Sequence, residues 1–359
     1  MPASSANALN IYAGASARRT LEREGWQPQL FQTMIGASGG AKFLALAQLD
    51  QFLFGDFLQR SQHEMHLIGS SIGSWRHAAL TQQNPVAALK KLQEGYLNQY
   101  YSPGSKPSPE FVSQVSLDIL TSFLDHSEPS SLCNHPRFRS HVVTARGLGP
   151  TGSANGIIQA LGLAQAAIWN SVHRKALQTC FQRVVFSSHK PEGLGFEFKD
   201  FLTVHAPLMR HNAVPVLHAS GSIPFVLTGE RDIEGAPPGQ YWDGGIVDYH
   251  FDLGSYHGAG LVLYPHFRGE IIPGWFDKFL PWRRTSADLL DKVVLLCPSP
   301  EYVDKLPYKK IPDRNDIPRM KYEERVAYWQ IAMDASVALA DDFAAIISDP
   351  DPLARVKPF

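Results

Sequence analysis

Two segments of the chain repeat one local form, in which an apolar run leads into a glycine- and serine-containing turn and then into a helical pattern. The first covers residues 34–42 (MIGASGGAK) and the second covers residues 67–75 (LIGSSIGSW). An apolar run that ends at a glycine turn predicts a buried strand, and the helix that follows completes a strand–turn–helix unit. Such units usually pair their strands in parallel, so the repeated form predicts a layered α/β fold.

Strand-like and helix-like patterns alternate along the rest of the chain as well. Apolar runs predict strands at residues 9–13, 31–35, 65–68, 140–145 and 261–265. Helical spacing predicts helices at residues 42–58, 74–80, 85–101, 111–123, 157–169 and 322–347. Because no repeat, low-complexity tract or linker divides the chain, residues 1–359 are predicted to form one domain, with a C-terminal helical extension at about residues 321–349.

Charge and cysteine usage narrow the partners and the compartment. A formal net charge of -1 without a basic run argues against nucleic acid as a partner. The three widely spaced cysteines, Cys133, Cys180 and Cys297, exclude a cysteine-rich zinc site and fit a reducing compartment. Residues 1–10 lack a signal-peptide pattern, and no apolar run approaches the ~20 residues of a spanning helix. We therefore expect a cytoplasmic protein that contacts membranes at most peripherally.

The second repeated segment contains the pattern G-x-S-x-G, with Ser71 between Gly69 and Gly73. In a tight strand-to-helix turn, side chains two positions on either side of the serine would collide with neighbouring backbone, and glycine relieves this crowding. The N-terminus of the following helix favours the negative charge that develops during acyl transfer. The pattern therefore predicts a nucleophile elbow, although an isolated match also fits an ordinary turn.

The first repeated segment satisfies the same pattern, with Ser38 at its centre. The adjacent Gly39 and Gly40 leave backbone amides unshielded at a helix start, as an anion-binding loop requires. A phosphate loop is excluded because Lys42 is neither preceded by glycine nor followed by serine or threonine. An oxyanion loop is the better interpretation.

Two further segments carry candidate chemistry. Residues 241–248 (YWDGGIVD) place an acid before two glycines, which in isolation also fits a hairpin turn. Residues 219–225 (ASGSIPF) place small residues before a proline.

Taken in order, four segments resemble the patatin-like phospholipases. They are a glycine-rich oxyanion loop at residues 36–42, the G-x-S-x-G elbow at residues 69–73, an A-S-x-x-I-P stretch at residues 219–224 and D-G-G at residues 243–245. The resemblance spans most of the first 250 or so residues. It implies a three-layer α/β/α sandwich with a mainly parallel central sheet. It also implies a Ser–Asp dyad that hydrolyses lipid acyl esters, as in a phospholipase A or a lysophospholipase.

The resemblance also assigns roles to individual residues. Ser71 would be the nucleophile and Asp243 its base, while Gly39 and Gly40 would donate hydrogen bonds to the oxyanion. Further candidate oxyanion or substrate-binding residues are Gly36, Lys42 and Ile72. The expected partner is a lipid or another acyl ester, the expected cofactor and metal content is none, and the oligomeric state stays open.

A second register of the same family pattern makes Ser38 the nucleophile. In that register residues 14–18 (GASAR) form the oxyanion loop, and Arg18 supplies the basic residue that the family's loop carries. However, this loop has a single glycine, so Cβ groups cover part of its backbone. It also leaves the complete elbow at Ser71 without a role, and we therefore favour Ser71.

A Ser–Asp–His triad is a further alternative. His250, His257 and His266 follow Asp243 in the chain order of α/β hydrolases, although each also fits an ordinary core or surface histidine. Asp248 and Asp252 are interpreted as turn or solvated residues rather than as second acids.

Aromatic and basic residues are concentrated at residues 271–284 (IIPGWFDKFLPWRR). This segment predicts either an interfacial helix or lid that meets anionic headgroups, or aromatic side chains packed on the core beside solvated bases. Arg76 either packs the first turn of the elbow helix or binds a substrate phosphate. Two alternative functions remain on the same scaffold: an acyltransferase, and a catalytically silent lipid-binding protein.

Overall fold

The structure is a computed structural model that describes residues 7–102, 107–124, 130–190, 193–200 and 202–359. Residues 1–6, which belong to the segment searched for a signal-peptide pattern, lie outside this part of the chain. The described residues form an α/β sandwich whose mostly parallel central sheet is flanked by helices, as the sequence predicted.

The strands of the sheet are β1 (Leu9–Ala13), β2 (Phe31–Gly36), β3 (Met65–Ser70), β4 (Phe138–Gly147), β5 (Phe181–Ser187), β6 (Thr203–Pro207), β7 (Glu230–Arg231), β8 (Gln240–Asp243), β9 (Leu261–Pro265), β10 (Val293–Pro298) and β11 (Val356–Pro358). The sheet has the order β11-β1-β10-β9-β2-β3-β4-β5-β6, with β8 pairing with β4 and β7 pairing with β8. The five predicted strands are all present, whereas β5, β6, β7, β10 and β11 were not predicted.

The helices cover both faces of this sheet. They are α1 (Ala15–Glu24), α2 (Ala47–Gly55), α3 (Ile72–Leu80), α4 (Pro85–Leu97), α5 (Pro109–Phe123), α6 (Ser130–Asn134), α7 (Gly156–Val172), α8 (Ala213–Ser220), α9 (Pro300–Val303), α10 (Tyr322–Ala335) and α11 (Val337–Ile347).

Two predicted helices are each divided in two. The helix predicted at residues 42–58 begins as a 3₁₀ helix, Gly40–Leu46, and becomes α-helical only at α2. The long helix predicted at residues 322–347 breaks between α10 and α11. At the break the Ser336 hydroxyl donates to the Met333 carbonyl and accepts from the Gln48 amide, which ties the chain to α2.

Successive residues of the central strands face opposite helical layers. Met34 and Leu67 belong to one buried apolar cluster, whereas their neighbours Ile35 and Ile68 belong to the other. A strand buried on both faces favours apolar residues at successive positions, which explains the adjacent apolar pairs in β2 and β3.

Strand β4 is the longest in the sheet and brings three other strands together. Its first half pairs in parallel with β3, from Phe138 to Val143. Its second half pairs with the antiparallel β8, from Thr144 to Arg146, while β5 runs along the opposite side. Strands β3 and β8 therefore approach each other end to end along one side of β4.

Within the described residues no helix has the length and apolar character that crossing a membrane requires. Cys133, Cys180 and Cys297 are all buried and none forms a disulfide.

Candidate active site

Ser71 lies in a sharp turn between β3 and α3. Its backbone has φ 54° and ψ -134°, a positive φ that residues with a Cβ rarely adopt, and α3 begins at the very next residue. The turn lifts the serine side chain out of the sheet at the carboxyl end of β3. This strained backbone is the geometry that the G-x-S-x-G pattern predicted.

The glycines of this pattern are required by close backbone contacts. A Cβ built on Gly73 would lie 2.0 Å from the carbonyl oxygen of Gly36, and one built on Gly69 would lie 2.7 Å from the amide nitrogen of Ser74. A Cβ on Gly36 would lie 2.5 Å from the carbonyl oxygen of Gly73. The elbow and the end of β2 therefore pack backbone against backbone, and Gly36 has a packing role.

Ser71 and Asp243 meet because of the register of two strands on β4. Strand β3 ends with Ser70 opposite Val143, and β8 ends with Asp243 opposite the next residue, Thr144. The Ser71 hydroxyl, one residue beyond β3, donates to the Asp243 carboxylate with an Oγ–Oδ2 distance of 2.8 Å. Both side chains are largely buried.

The two glycines after Asp243 make room for this meeting. A Cβ on Gly244 would lie 2.1 Å from the Val143 carbonyl oxygen, and one on Gly245 would lie 2.4 Å from the Ser38 hydroxyl. The segment Gly244–Ile246 is a 3₁₀ helix rather than a hairpin turn. Its Gly245 amide donates to the second Asp243 oxygen, Oδ1, at 2.7 Å.

Burial shapes the ionisation of Asp243. Loss of hydration raises the pKa of this carboxyl group to about 6. The hydrogen bonds from Gly245 and Ser71 and the positive charges of Arg314 and Lys278 act in the opposite direction and limit the rise of this pKa. A carboxylate with a pKa near neutrality accepts a proton more readily than an ordinary solvated aspartate.

The A-S-x-x-I-P segment supports both residues of the pair. The Ser220 hydroxyl accepts a hydrogen bond from the Ser71 amide at 2.9 Å and donates one to the Val143 carbonyl at 2.7 Å. Two residues later the Ser222 carbonyl accepts a hydrogen bond from the Asp243 amide at 2.8 Å. Sequence reasoning recognised this segment but gave Ser220 no role.

Backbone amides beside the pair are available to hold an anion. Among the described residues, the amides of Gly39, Gly40 and Ile72 find no acceptor, and all three residues line the same cavity as Ser71. Gly40 has a φ of 56° and Ile72 is the first residue of α3, so their free amides belong to helix starts. This is the arrangement expected of an oxyanion hole.

Ser38, the alternative nucleophile, has different partners. Its hydroxyl shares a hydrogen bond with the Ser70 hydroxyl at 2.8 Å, and its amide donates to the Tyr249 carbonyl. The oxyanion loop of that second register, residues 14–18, lies elsewhere. Its Gly14 amide donates to the Val293 carbonyl, and its Arg18 guanidinium donates to the Val356 carbonyl. The geometry therefore favours Ser71 over Ser38.

The candidate triad histidines do not join the pair. Neither Ser71 nor Asp243 is hydrogen bonded to a histidine in the described part of the chain. The imidazoles of His250 and His266 are fully buried and pack on each other with ring centroids 4.2 Å apart, while His257 is exposed. Burial holds the pKa of His250 well below its ordinary value, so this ring is neutral.

Buried ion pairs decide between the alternatives for Arg76 and correct the expectation for Asp248. Arg76 faces away from the cavity and binds Asp50 through two hydrogen bonds of 2.8 and 2.5 Å, so it packs α3 and does not bind substrate. Asp248 is neither solvated nor in a simple turn, because it is fully buried and accepts two hydrogen bonds from Arg183.

Ser71 and Asp243 line a cavity of about 1620 Å³. Six basic residues line it, and three of them are Lys42, which pairs with Asp313 at 2.6 Å, Lys278 and Arg314; the others are Arg319, Lys321 and Arg325. The Lys278 ammonium lies 3.7 Å from the centroid of the Tyr249 ring. Burial, helped by the positive charges of Lys42 and Arg314, lowers the pKa of Lys278 to about 7. Sequence reasoning missed Arg314, since it follows Asp243 by more than sixty residues in a segment without a recognisable pattern.

Residues 271–284 combine both alternatives predicted for them: one aromatic side chain packs on the core, and others are exposed as an interfacial segment would require. Phe276 packs on the core, whereas Trp275, Phe279 and Trp282 are exposed. Lys278 lines the cavity rather than facing bulk water.

Comparison with known proteins adds no further identification: no protein-family model matches the chain, and no curated protein matches it. The patatin-like resemblance therefore rests on the four ordered segments and on the geometry that brings them together. In the described residues no group of three His, Cys, Asp or Glu side chains is arranged to hold a metal ion.

Proposed function

We propose that the protein is a serine-dependent carboxylic ester hydrolase that acts on acyl lipids, in the manner of a phospholipase A or a lysophospholipase. The observation that carries the proposal is the 2.8 Å hydrogen bond from the Ser71 hydroxyl to the buried Asp243 carboxylate, beside free backbone amides and inside a large cavity. A nucleophile, a base and anion donors are the three elements that acyl transfer requires.

The proposed mechanism assigns one step to each element. Asp243 accepts the hydroxyl proton as the Ser71 oxygen attacks the ester carbonyl, and the amides of Gly39, Gly40 and Ile72 hold the developing oxyanion. The leaving alcohol takes a proton from Asp243 as the acyl-serine forms. Water then attacks the acyl-serine with Asp243 again as the base, which releases the fatty acid and restores the serine.

Cavity size and lining support a lipid substrate. A volume of about 1620 Å³ exceeds that of ordinary small-molecule pockets, and its walls include Leu163, Ile223 and Phe276, which suit an acyl chain. The positive charge of Arg314 beside the dyad, together with that of Lys278 when it is protonated, suits a phosphate or another anionic group on the same substrate. The three free buried cysteines suit a cytoplasmic protein, with any membrane contact being peripheral.

Hydrolysis of a p-nitrophenyl ester by purified wild-type protein and three variants tests this proposal. We expect Ser71→Ala and Asp243→Asn to lose nearly all activity, because each removes half of the dyad, and Ser38→Ala to retain most of it. Full activity in Ser71→Ala together with loss in Ser38→Ala would contradict the proposal and restore the second register.

Product analysis separates the alternative functions. Release of free fatty acid from a phospholipid supports the hydrolase, whereas transfer of the acyl group to an added lysophospholipid or alcohol supports an acyltransferase. A protein that binds lipid vesicles but neither turns over esters nor reacts with a serine-directed phosphonate would be a silent lipid-binding protein.

A further inference from the structure

The helix α7 has its apolar side facing outward. Its 17 residues (GIIQALGLAQAAIWNSV) include no charged residue. Ile157, Leu161, Ile168 and Val172 are each between 64% and 75% exposed, and Ile158 and Trp169 are exposed as well. The buried side instead carries Gln159, Gly162, Ala166 and Asn170. A surface helix in water normally has the opposite arrangement, so the outer face of α7 is suited to an apolar surrounding.

A second exposed apolar group lies next to α7. Phe279 is 75% exposed and Trp282 is 71% exposed, and Trp275 and Phe225 are also exposed. Phe225 approaches the N-terminus of α7, since a Cβ on Gly156 would lie 4.0 Å from its ring. We call these four aromatic residues, together with the exposed apolar residues of α7, the apolar rim.

Buried polar contacts hold the two parts of the rim together. The Asn170 amide donates to Asp277 at 2.8 Å, and the Arg174 guanidinium donates to the other oxygen of the same carboxylate at 3.1 Å. Arg283 returns a hydrogen bond to the Asn170 carbonyl at 3.3 Å. Because Asp277 is fully buried, these contacts fix the segment at residues 271–284 on α7. The rim is therefore a single surface.

The rim surrounds the opening of the cavity that holds Ser71. Phe225, Trp275 and Phe279 are exposed and also line this cavity, as does Ala167 of α7, and the half-buried Leu163 of α7 lines it as well. Residues with both properties lie where the cavity meets the surroundings. Whatever covers the rim therefore controls access to the dyad.

Charge near the rim favours an anionic surface. Residues 156–175 and 271–284 contain five lysines and arginines and one acid, Asp277, whereas the whole chain has a net charge of -1. Arg174 is buried against Asp277 and Arg284 pairs with Glu270, so Lys175, Lys278 and Arg283 are the basic residues of these segments that pair with no acid in the described part of the chain. Lys175, directly after α7, is exposed. Basic residues beside an apolar face are the combination that binds anionic lipid headgroups.

We propose that the apolar rim inserts into the interface of an anionic lipid bilayer and so places the opening of the Ser71 cavity against the lipid. A second copy of the chain, or another protein, seated on the rim would cover the residues that form this opening. The proposal goes beyond the proposed hydrolase function, because membrane docking through the rim does not require Ser71 to react.

Vesicle binding tests the proposal with variants outside the cavity. The rim variant carries Leu161→Gln and Ile168→Gln, two exposed residues of α7 that do not line the cavity. The matched control carries Ile331→Gln and Val337→Gln, two exposed apolar residues of α10 and α11 that lie outside the rim. The measured quantity is the fraction of protein that co-floats with vesicles of phosphatidylcholine and phosphatidylglycerol in equal parts.

We expect the rim variant to partition at least about tenfold more weakly than wild type, since two large apolar side chains no longer enter the bilayer, and the control to match wild type. Vesicles of phosphatidylcholine alone should bind wild type several-fold more weakly. Hydrolysis of a short water-soluble p-nitrophenyl ester should be unchanged in the rim variant. Failure of the hydrolase proposal would appear as absent hydrolysis with vesicle binding intact.

Three results would overturn the docking proposal. They are absence of wild-type binding to either vesicle, equal loss in the rim and control variants, and a wild-type dimer in solution that the rim variant converts to a monomer.

A second readout needs no rim variant: brominated acyl chains should quench tryptophan fluorescence of wild type, because Trp169, Trp275 and Trp282 belong to the rim. Unchanged fluorescence would count against the proposal.

Discussion

The two G-x-S-x-G turns have the same sequence form but different structures. In the Ser71 turn the serine itself takes the positive φ of 54° and an α-helix starts at the next residue. In the Ser38 turn the positive φ of 56° falls on Gly40, and the helix that follows is 3₁₀ up to Leu46. One turn presents its serine hydroxyl to a carboxylate, while the other presents its free amides to the cavity.

The difference follows from what each turn contacts. The residue after β3 comes opposite the end of β8, where Asp243 lies, because both strands pair with β4. The residues after β2 pack instead against Gly245 and Ser70, which occupy the Ser38 hydroxyl and leave Gly39 and Gly40 facing the cavity. A local pattern therefore provides a turn, and the strand register determines whether that turn presents its serine hydroxyl to a carboxylate or its backbone amides to the cavity.

Replacing the carboxylate that distinguishes the two turns should have the largest effect. We expect Asp243→Asn to lower kcat by about 10⁴-fold, because the amide cannot accept the Ser71 proton. Steady-state ester hydrolysis measures the change. Asp252→Asn is the matched control: it keeps an oxygen for the Gly254 amide and should leave kcat unchanged. Equal losses in the two variants would mean that Asp243 has no special role.

Because backbone crowding differs between the two turns, replacing a glycine by alanine should cost more stability in the Ser71 turn than in the Ser38 turn. Gly73→Ala places a Cβ 2.0 Å from a backbone carbonyl oxygen, so we expect it to lower the free energy of unfolding by about 3 kcal/mol or more. Gly40→Ala meets only the Tyr96 hydroxyl, at 3.2 Å, and should cost about 1–2 kcal/mol, the price of a Cβ at positive φ.

Urea unfolding monitored by circular dichroism measures both values. Gly156→Ala serves as the control, because its nearest contact is 4.0 Å away and its backbone is helical. A Gly73→Ala protein as stable as Gly156→Ala would show that the elbow and β2 are less tightly packed than described.

As pH rises, ionisation of Asp243 should increase the activity of the protein and decrease its stability. Because its pKa is raised to about 6, kcat/KM should rise with pH through about 6 and then level off. The folded protein binds this proton more tightly than the unfolded chain does. The contribution of this bound proton to stability is therefore present at low pH and is lost as pH rises through about 6.

Asp243→Asn should consequently be more stable than wild type at pH 8, by on the order of 2 kcal/mol, and the difference should shrink towards pH 4. Thermal unfolding at the two pH values tests this. A reaction initiated by Ser38, whose hydroxyl contacts Ser70 rather than a carboxylate, would lack the rise of kcat/KM through pH 6, whereas the stability difference depends on Asp243 alone.

The smallest effect is expected at Ser38. Its replacement by alanine removes one buried hydrogen bond to Ser70, so we expect a loss of about 1 kcal/mol in stability and a change in kcat of only a few-fold. Chemical denaturation and ester hydrolysis measure these two quantities. A loss of activity comparable with that of Asp243→Asn would reverse the assignment of the two turns.

The parts of the fold that depend on local patterns were predictable. Strands β1, β2, β3 and β9 are mostly apolar and were placed within one or two residues, and both serine turns were located. Strand β5 was missed because it contains Arg183, which looks exposed in the sequence but is fully buried between Asp248 and Asp200. The break at Ser336 depends on a contact with the distant Gln48, which helical spacing does not register.

The residues of the candidate site likewise fall into those that a local motif predicts and those that it does not. Ser71 and Asp243 carry recognisable motifs, and their roles remain predictions that the geometry supports. Ser220, Lys278 and Arg314 act through contacts between segments far apart in the chain, and only the folded arrangement reveals them. Likewise, helical spacing does not predict which face of α7 is exposed, because a helix without charges fits either a buried or a lipid-facing position.

Covalent labelling with a fluorophosphonate tests the central claim most directly, since trypsin separates the two turns into residues 24–42, with Ser38, and residues 61–76, with Ser71. Mass spectrometry with fragmentation then locates the adduct. We predict a single phosphonate on Ser71, which is absent from Ser71→Ala and strongly reduced in Asp243→Asn. An adduct on Ser38, or labelling of Asp243→Asn at the wild-type rate, would contradict the account.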